Sequence, residues 1–228
     1  MDRRFRHALA ALVFATGLCA PAAAQQVTAE GSVKFNLLSV EGLVVGTTLK
    51  VDADFAATHG VDVPAPFSIL VPLADDVLEL VDYVPEGPDG PFLKLSFATE
   101  DRKLIENIQF VRMTIARGSA EERLNALAGL LANDVFGRAT ASYTESVRDI
   151  VRKTKVGDLE GVEVIGRYKD PNLGLMYLRI VGVLDPQGLH GVVSIANVVA
   201  AMQELPSAND FPGTRGGAAI RHFRFLKE

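Results

Sequence analysis

The chain has 228 residues, 48% of them hydrophobic and 22% charged, with a formal charge of −5 and a single cysteine. That length and apolar content suffice for one packed domain, with or without an extension. The acidic balance disfavours a phosphate-backbone partner, so no nucleic acid is expected, and one cysteine leaves neither a disulfide framework nor a zinc-thiolate set.

Arg3, Arg4 and Arg6 precede the apolar run Ala8 to Cys19, and Pro21-Ala22-Ala23-Ala24 follows it. This is the three-part plan of a secretory signal, with an apolar core well short of the roughly 20 residues of a spanning helix. Cleavage is expected after Ala24, which makes the product periplasmic and begins it at Gln25. Cys19 follows Leu18 rather than a small residue, which favours plain cleavage over lipidation. Residues 1–24 carry three Arg and one Asp, so their removal moves the charge to −7 and leaves no cysteine. No later run approaches spanning length, and no integral membrane anchor is expected in the mature chain.

From Ser32 to Phe55 apolar and polar residues alternate on either side of Glu41-Gly42, which predicts a hairpin. Residues 25–60 are read as an N-terminal β-hairpin extension. The prolines between Thr58 and Pro66 interrupt pairing, and residues 61–228 are read as the main α+β domain. Within it Phe67–Val71, Phe92–Phe97 and Ile108–Ile115 read as strands. Val77–Val84 reads as a strand, with a short helix as the alternative, and Pro85–Pro91 is the turn that follows.

The clearest helix begins at Ser119, which fits a capping box with Glu122. Leu124, Leu127, Leu130, Leu131 and Val135 fall on one face, and Gly137 offers a left-handed stop. Gly129 inside this helix costs roughly 1 kcal/mol relative to alanine, which a close approach to a sheet would explain. Val147–Val156 reads as a charged edge strand or a last helical turn.

Val162–Tyr168, Leu175–Leu184 and Leu189–Val199 are three strands joined by short turns at Asp170–Gly174 and Asp185–Gly188. Residues 161–199 therefore form a three-stranded antiparallel meander. Gly166, Gly182 and Gly191 interrupt its strands in turn; aligned, they would make a shallow groove, which the Ser119 helix is expected to fill. Ala200–Leu205 starts or finishes a short helix, and Ala218–Phe225 is a strand or a helix. The fold class is α+β, an antiparallel sheet flanked by helices.

Candidate sites are few. His59, His190 and His222 lie far apart in sequence, and no HExxH or HxH spacing occurs, so no metal and no cofactor are predicted. Asp52 and Asp54 would share one side of a strand, and with Asp62 they make too incomplete a set for calcium. Asp75-Asp76 suits a loop or a helix start. Ser194 lies inside a strand without the turn that a nucleophile elbow needs. Phe211–Gly217 (FPGTRGG) offers successive backbone amides beside Arg215, which suits an anion nest or a flexible connection. The candidate ligand-binding residues are Arg215, Gly216, Gly217 and His190, and no catalytic residue is assigned.

The order of a helix at 119–136, a charged segment, KVGDLEGVEVIGRY, strands of the YLRIVGVL and SIANVV kind and the late segment AAIRHFRF resembles the PsbP and DcrB-like family. The resemblance runs from Pro64 to Phe225. It implies a PsbP-like α/β/α sandwich in exported proteins that act as accessory or envelope factors without established catalysis, and it supplies no catalytic residues to carry over. The leading expectation is an exported, soluble, non-catalytic periplasmic accessory protein that binds an envelope protein or a small ligand. The alternatives are a periplasmic hydrolase whose Asp, His and Ser groups meet on folding, and a structural module that pairs through an edge strand. The oligomeric state stays open.

Overall fold

The computed structural model describes residues 46–74, 77–83 and 91–227. The leader at 1–24, the first part of the expected hairpin, Asp75-Asp76 and residues 85–90 of the expected turn lie outside the described residues. The first half of the chain forms β1 (Gly46–Val51), α1 (Ala53–His59), β2 (Phe67–Pro72), β3 (Val77–Asp82), β4 (Pro91–Thr99) and β5 (Leu104–Thr114). There follow α2 (Ala120–Gly129), a π-helical turn (Leu130–Val135), α3 (Phe136–Thr140), β6 (Thr144–Val156), β7 (Leu159–Asp170), β8 (Gly174–Leu184) and β9 (His190–Val199). A 3₁₀ turn (Ala208–Gly213), α4 (Arg215–Arg221) and β10 (Arg224–Phe225) complete the order.

Among the described residues, seven strands make one antiparallel sheet in the order β3-β4-β5-β9-β8-β7-β6, and β1-β2-β10 make a second, smaller one. The expected meander is the run β7, β8, β9, each strand antiparallel to the next. Its central strands are buried on both faces, which explains why their sequences are apolar almost throughout instead of alternating. β6 is an outer strand, the first of the two readings its sequence left open; it is exposed along most of its 13 residues and carries two register shifts. Charges and bulges at an edge discourage pairing with another chain.

One face of the large sheet is covered by the α2–α3 helix. Ser119 caps it as expected: its Oγ accepts from the Glu122 amide at 3.2 Å, and its own amide donates to Glu122 Oε2 at 2.8 Å. Leu124, Leu127, Leu131, Val135 and Phe136 are buried against Val162, Val164, Leu178, Ile180 and Val193. The glycines match these side chains. A Cβ on Gly182 would stand 2.8 Å from Leu127 Cδ1, and one on Gly166 would stand 2.6 Å from Phe136 Cε2. Gly166 is opposite Leu178 and Gly182 is opposite Val162, so the glycines do not line up into a continuous groove.

Gly137 does not end the helix, which runs through it to Thr140; the stop comes from tight turns, Ala141 amide to Arg138 carbonyl and Tyr143 amide to Thr140 carbonyl. Gly129 has no close approach either, since a Cβ there meets nothing within 4 Å. It marks the passage from α-helix to the π turn, whose Ala132 carbonyl accepts from the Arg148 guanidinium on β6.

The opposite face packs on the small sheet and α4, around Phe67, Phe97, Phe110 and Phe223, with the Phe67 and Phe223 rings stacked at 5.0 Å. β1 pairs with β2 over six residues, from Gly46 opposite Pro72 to Val51 opposite Phe67. Residues 52–55, read as the end of a strand, instead start α1. Asp52 Oδ1 accepts from the Phe55 amide at 3.2 Å, and Gly60 closes the helix at φ 66°. A carboxylate able to cap free amides favours the helix start over a strand, so Asp52 and Asp54 do not flank one strand side. Ala200–Leu205 forms turns rather than a helix.

Candidate functional site

FPGTRGG is a buried helix start, not a flexible connection. Thr214 caps α4, its Oγ1 accepting from the Gly217 amide at 2.9 Å. The amides of Arg215 and Gly216 donate to the two carboxylate oxygens of Glu106, at 2.7 and 3.1 Å. The nest is thus filled by a carboxylate of the chain itself. Glu106 sits in β5 with no exposed surface, and Arg215 Nη1 lies 3.8 Å from its Oε1. Burial pushes the Glu106 carboxyl above its ordinary range, against the pull of the Gly216 amide, the Arg215 charge and amide and the Thr214 hydroxyl. Glu79 on β3, opposite Phe97 in a register that continues to Glu106, is likewise raised by burial and feels the same arginine.

His190 is elsewhere. It opens β9, its Nδ1 3.3 Å from Thr114 Oγ1, and that pair is eight residues along β5 from the pair Glu106 and Val198. Eight strand residues span about 26 Å, so the structure does not bring His190 to Arg215, Gly216 and Gly217. His222 follows α4, its pKa lowered by burial and by the Arg221 and Arg224 charges, and His59 stacks on Tyr83 at 3.8 Å. Among the described residues no three His, Cys, Asp or Glu side chains are grouped to hold a metal. Ser194 Oγ donates to the Val181 carbonyl at 3.3 Å inside the sheet.

Two polar arrangements were not singled out from the sequence. Glu163 on β7 is buried and takes Arg179 Nε on Oε1 and Arg152 Nε on Oε2, each at 2.6 Å. A lone Glu in VEVIG and a lone Arg in YLRIVGVL were the available signal, because a charge within an apolar strand needs a partner. Tyr168 Oη donates to Asn197 Oδ1 at 3.0 Å, and Asn197 Nδ2 donates to Asn107 Oδ1 at 3.1 Å. Burial first, then the Tyr143 and Asp170 charges, pushes the Tyr168 hydroxyl well above its usual pKa, so it stays a proton donor.

Between the start of α2 and the β6–β7 edge lies an open depression of about 330 Å³, lined by Leu124, Lys153, Thr154, Lys155, Glu160 and Gly161. Lys153 and Lys155 are two residues apart on β6 and so share a face, opposite Val162 and Glu160. Both are exposed, and neither forms a side-chain hydrogen bond or ion pair among the described residues. Buried Leu124 gives the depression an apolar floor. Among the described residues no helix is long and apolar enough to cross a membrane.

These features define an α+β protein whose antiparallel sheet carries a helix on one face and a mixed sheet-and-helix layer on the other. It is similar to the solved structure of cyanobacterial PsbP (CyanoP) from Synechocystis sp. PCC 6803, with 8% identity and a TM-score of 0.49, over 82% of this chain and 98% of that one. It is also similar to LpqN, involved in cell envelope biogenesis of Mycobacterium tuberculosis, with 10% identity and a TM-score of 0.48, over 79% and 91% of the two chains. A third such structure is the Saccharomyces cerevisiae Ran-binding protein Mog1p, with 13% identity and a TM-score of 0.38, over 79% and 96%. No family model and no curated protein matches the chain.

Proposed function

We propose that this chain is an exported accessory protein of the bacterial envelope that works by binding rather than by chemistry. The observation that carries the reading is the depression beside α2, where two lysines without partners among the described residues stand over an apolar floor on a chain of formal charge −5. Such a site suits a ligand with an anionic head and a short apolar body, since the lysines supply a local potential opposite to that of the chain as a whole. The basic, apolar and small-residue order of residues 1–24 supports export. The buried ionisable groups are committed to internal partners, Glu106 to the α4 amides and Glu163 to two arginines, which favours a scaffold role for them.

Octanoate is the probe for the site, with acetate and octylamine as the head-only and inverted-charge comparisons. Octanoate is expected to shift the Leu124 methyl resonances saturably, and Lys153→Glu with Lys155→Glu to weaken it by about tenfold. Equal responses to octanoate and octylamine would overturn the site. Retention of the full chain in the cytoplasmic fraction would overturn the export reading separately.

A further inference from the structure

The Arg152–Glu163–Arg179 cluster holds one carboxylate and two guanidinium groups, so it carries one positive charge more than it neutralises. The side chain of Glu163 is 2% exposed and that of Arg179 only 10%. Glu163 and Arg179 thus form a buried neutral pair, and the surplus positive charge falls on Arg152, whose side chain is 42% exposed. Asp149 on β6 pairs with Arg167, both oxygens on Nη1 at 2.8 and 2.7 Å, and among the described residues Glu163 is the one carboxylate in an ion pair with Arg152 or Arg179.

The way the arginines hold Glu163 matters as much as the charge. Each uses Nε, at 2.6 Å, instead of the two-nitrogen fork that normally grips a carboxylate. Arg152 Nη1 donates to Asn209 Oδ1 at 3.4 Å, which leaves Arg152 Nη2 and both terminal nitrogens of Arg179 without a protein acceptor among the described residues. Arg152 opens this cluster to solvent, and Arg179 lies mostly beneath the surface. Glu163 therefore acts as a hub that holds two guanidinium groups by their Nε atoms, and Asn209 on the 3₁₀ turn reaches the Arg152 one.

We propose that the terminal nitrogens of Arg152 and Arg179 bind a small oxyanion, a phosphate group, which neutralises the cluster. Arginine forks match phosphate oxygens in geometry as well as charge. This site is distinct from the depression with Lys153 and Lys155, because Arg152 lies opposite Glu163 while Lys153 lies opposite Val162, and adjacent strand residues point to opposite faces.

The test is a titration of the full chain with inorganic phosphate at constant ionic strength made up with chloride, following the Nε–H resonances of Arg152 and Arg179. Both should shift saturably, and Arg152→Gln should weaken phosphate about tenfold through loss of one charged fork. Arg117→Gln, which removes an equal charge at an exposed site, should leave the affinity as it is. Arg152→Lys keeps the charge without the fork and should weaken phosphate nearly as much as Arg152→Gln. The proposal fails if the wild-type resonances drift without saturation, or if Arg117→Gln weakens phosphate as much as Arg152→Gln does.

Discussion

Leu127 rests on Gly182: both are buried, and a Cβ on Gly182 would come within 2.8 Å of Leu127 Cδ1 and 3.0 Å of Leu131 Cδ1. The helix can lie this low on β8 only because position 182 has no side chain. Contact between Leu127, Leu131 and the sheet is what couples the capped helix to the meander.

Gly182→Val should therefore destabilise the fold by about 1–3 kcal/mol, the usual range for overpacking. Gly129 is the control, because it is exposed, holds a helical φ of −60° and has open space at its Cβ position. Gly129→Ala should stabilise by up to about 1 kcal/mol. Urea denaturation of both variants checks the pair, and a loss of stability in Gly182→Val no greater than in a neutral surface variant would contradict the packing account.

Glu106 ties α4 to the large sheet through two amides, and Glu106→Ala should cost about 3–5 kcal/mol, since it strips two buried amides of their acceptor and removes a counter-charge 3.8 Å from a buried arginine. The pH dependence has a definite sign. The folded pKa of Glu106 is raised, so between the ordinary carboxylate value and that higher value the folded state binds more protons than the unfolded one. The stability linked to Glu106 is thus fully present below the unfolded pKa and is lost as pH rises through the folded one. Glu106→Gln mimics the protonated acid, so its stability relative to wild type should improve as pH rises across that window. Denaturation midpoints of the two proteins at matched pH values measure the change, and a gap that widens against glutamine would reverse the assignment.

The strands were legible where periodicity and turn chemistry agreed. Asp170–Gly174 and Asp185–Gly188 marked both meander turns, and Ser119 with Glu122 marked the helix start, because caps and turns are written in adjacent residues. Residues 52–55 misread for an instructive reason: Leu49, Val51, Ala53 and Phe55 continue a strand alternation, and only Asp52 and Gly60, a cap and a left-handed stop, signal the helix. The site was harder still. Arg215 and Gly216 stood out as anion binders, but their carboxylate is Glu106, 109 and 110 residues away along the chain, a pairing that no local pattern contains.

β6 bears on how the chain meets other molecules. It ends the large sheet, exposes Val147 and Val151, and keeps one row of backbone groups outside the ladder with β7. An outer strand of this length invites edge-to-edge association, which lysines and bulges oppose. Lys153 and Lys155 stand on the straight part of the strand, beyond the register shifts that lie between Thr144 and Ile150, so they guard the section best shaped to pair. Lys153→Val with Lys155→Val should raise the mass measured by light scattering at a given protein concentration, while Lys153→Gln with Lys155→Gln, which removes charge but stays hydrated, should raise it less. If the valine variant keeps the wild-type mass at every concentration, the bulges alone protect the edge and the lysines are left to the depression beside α2.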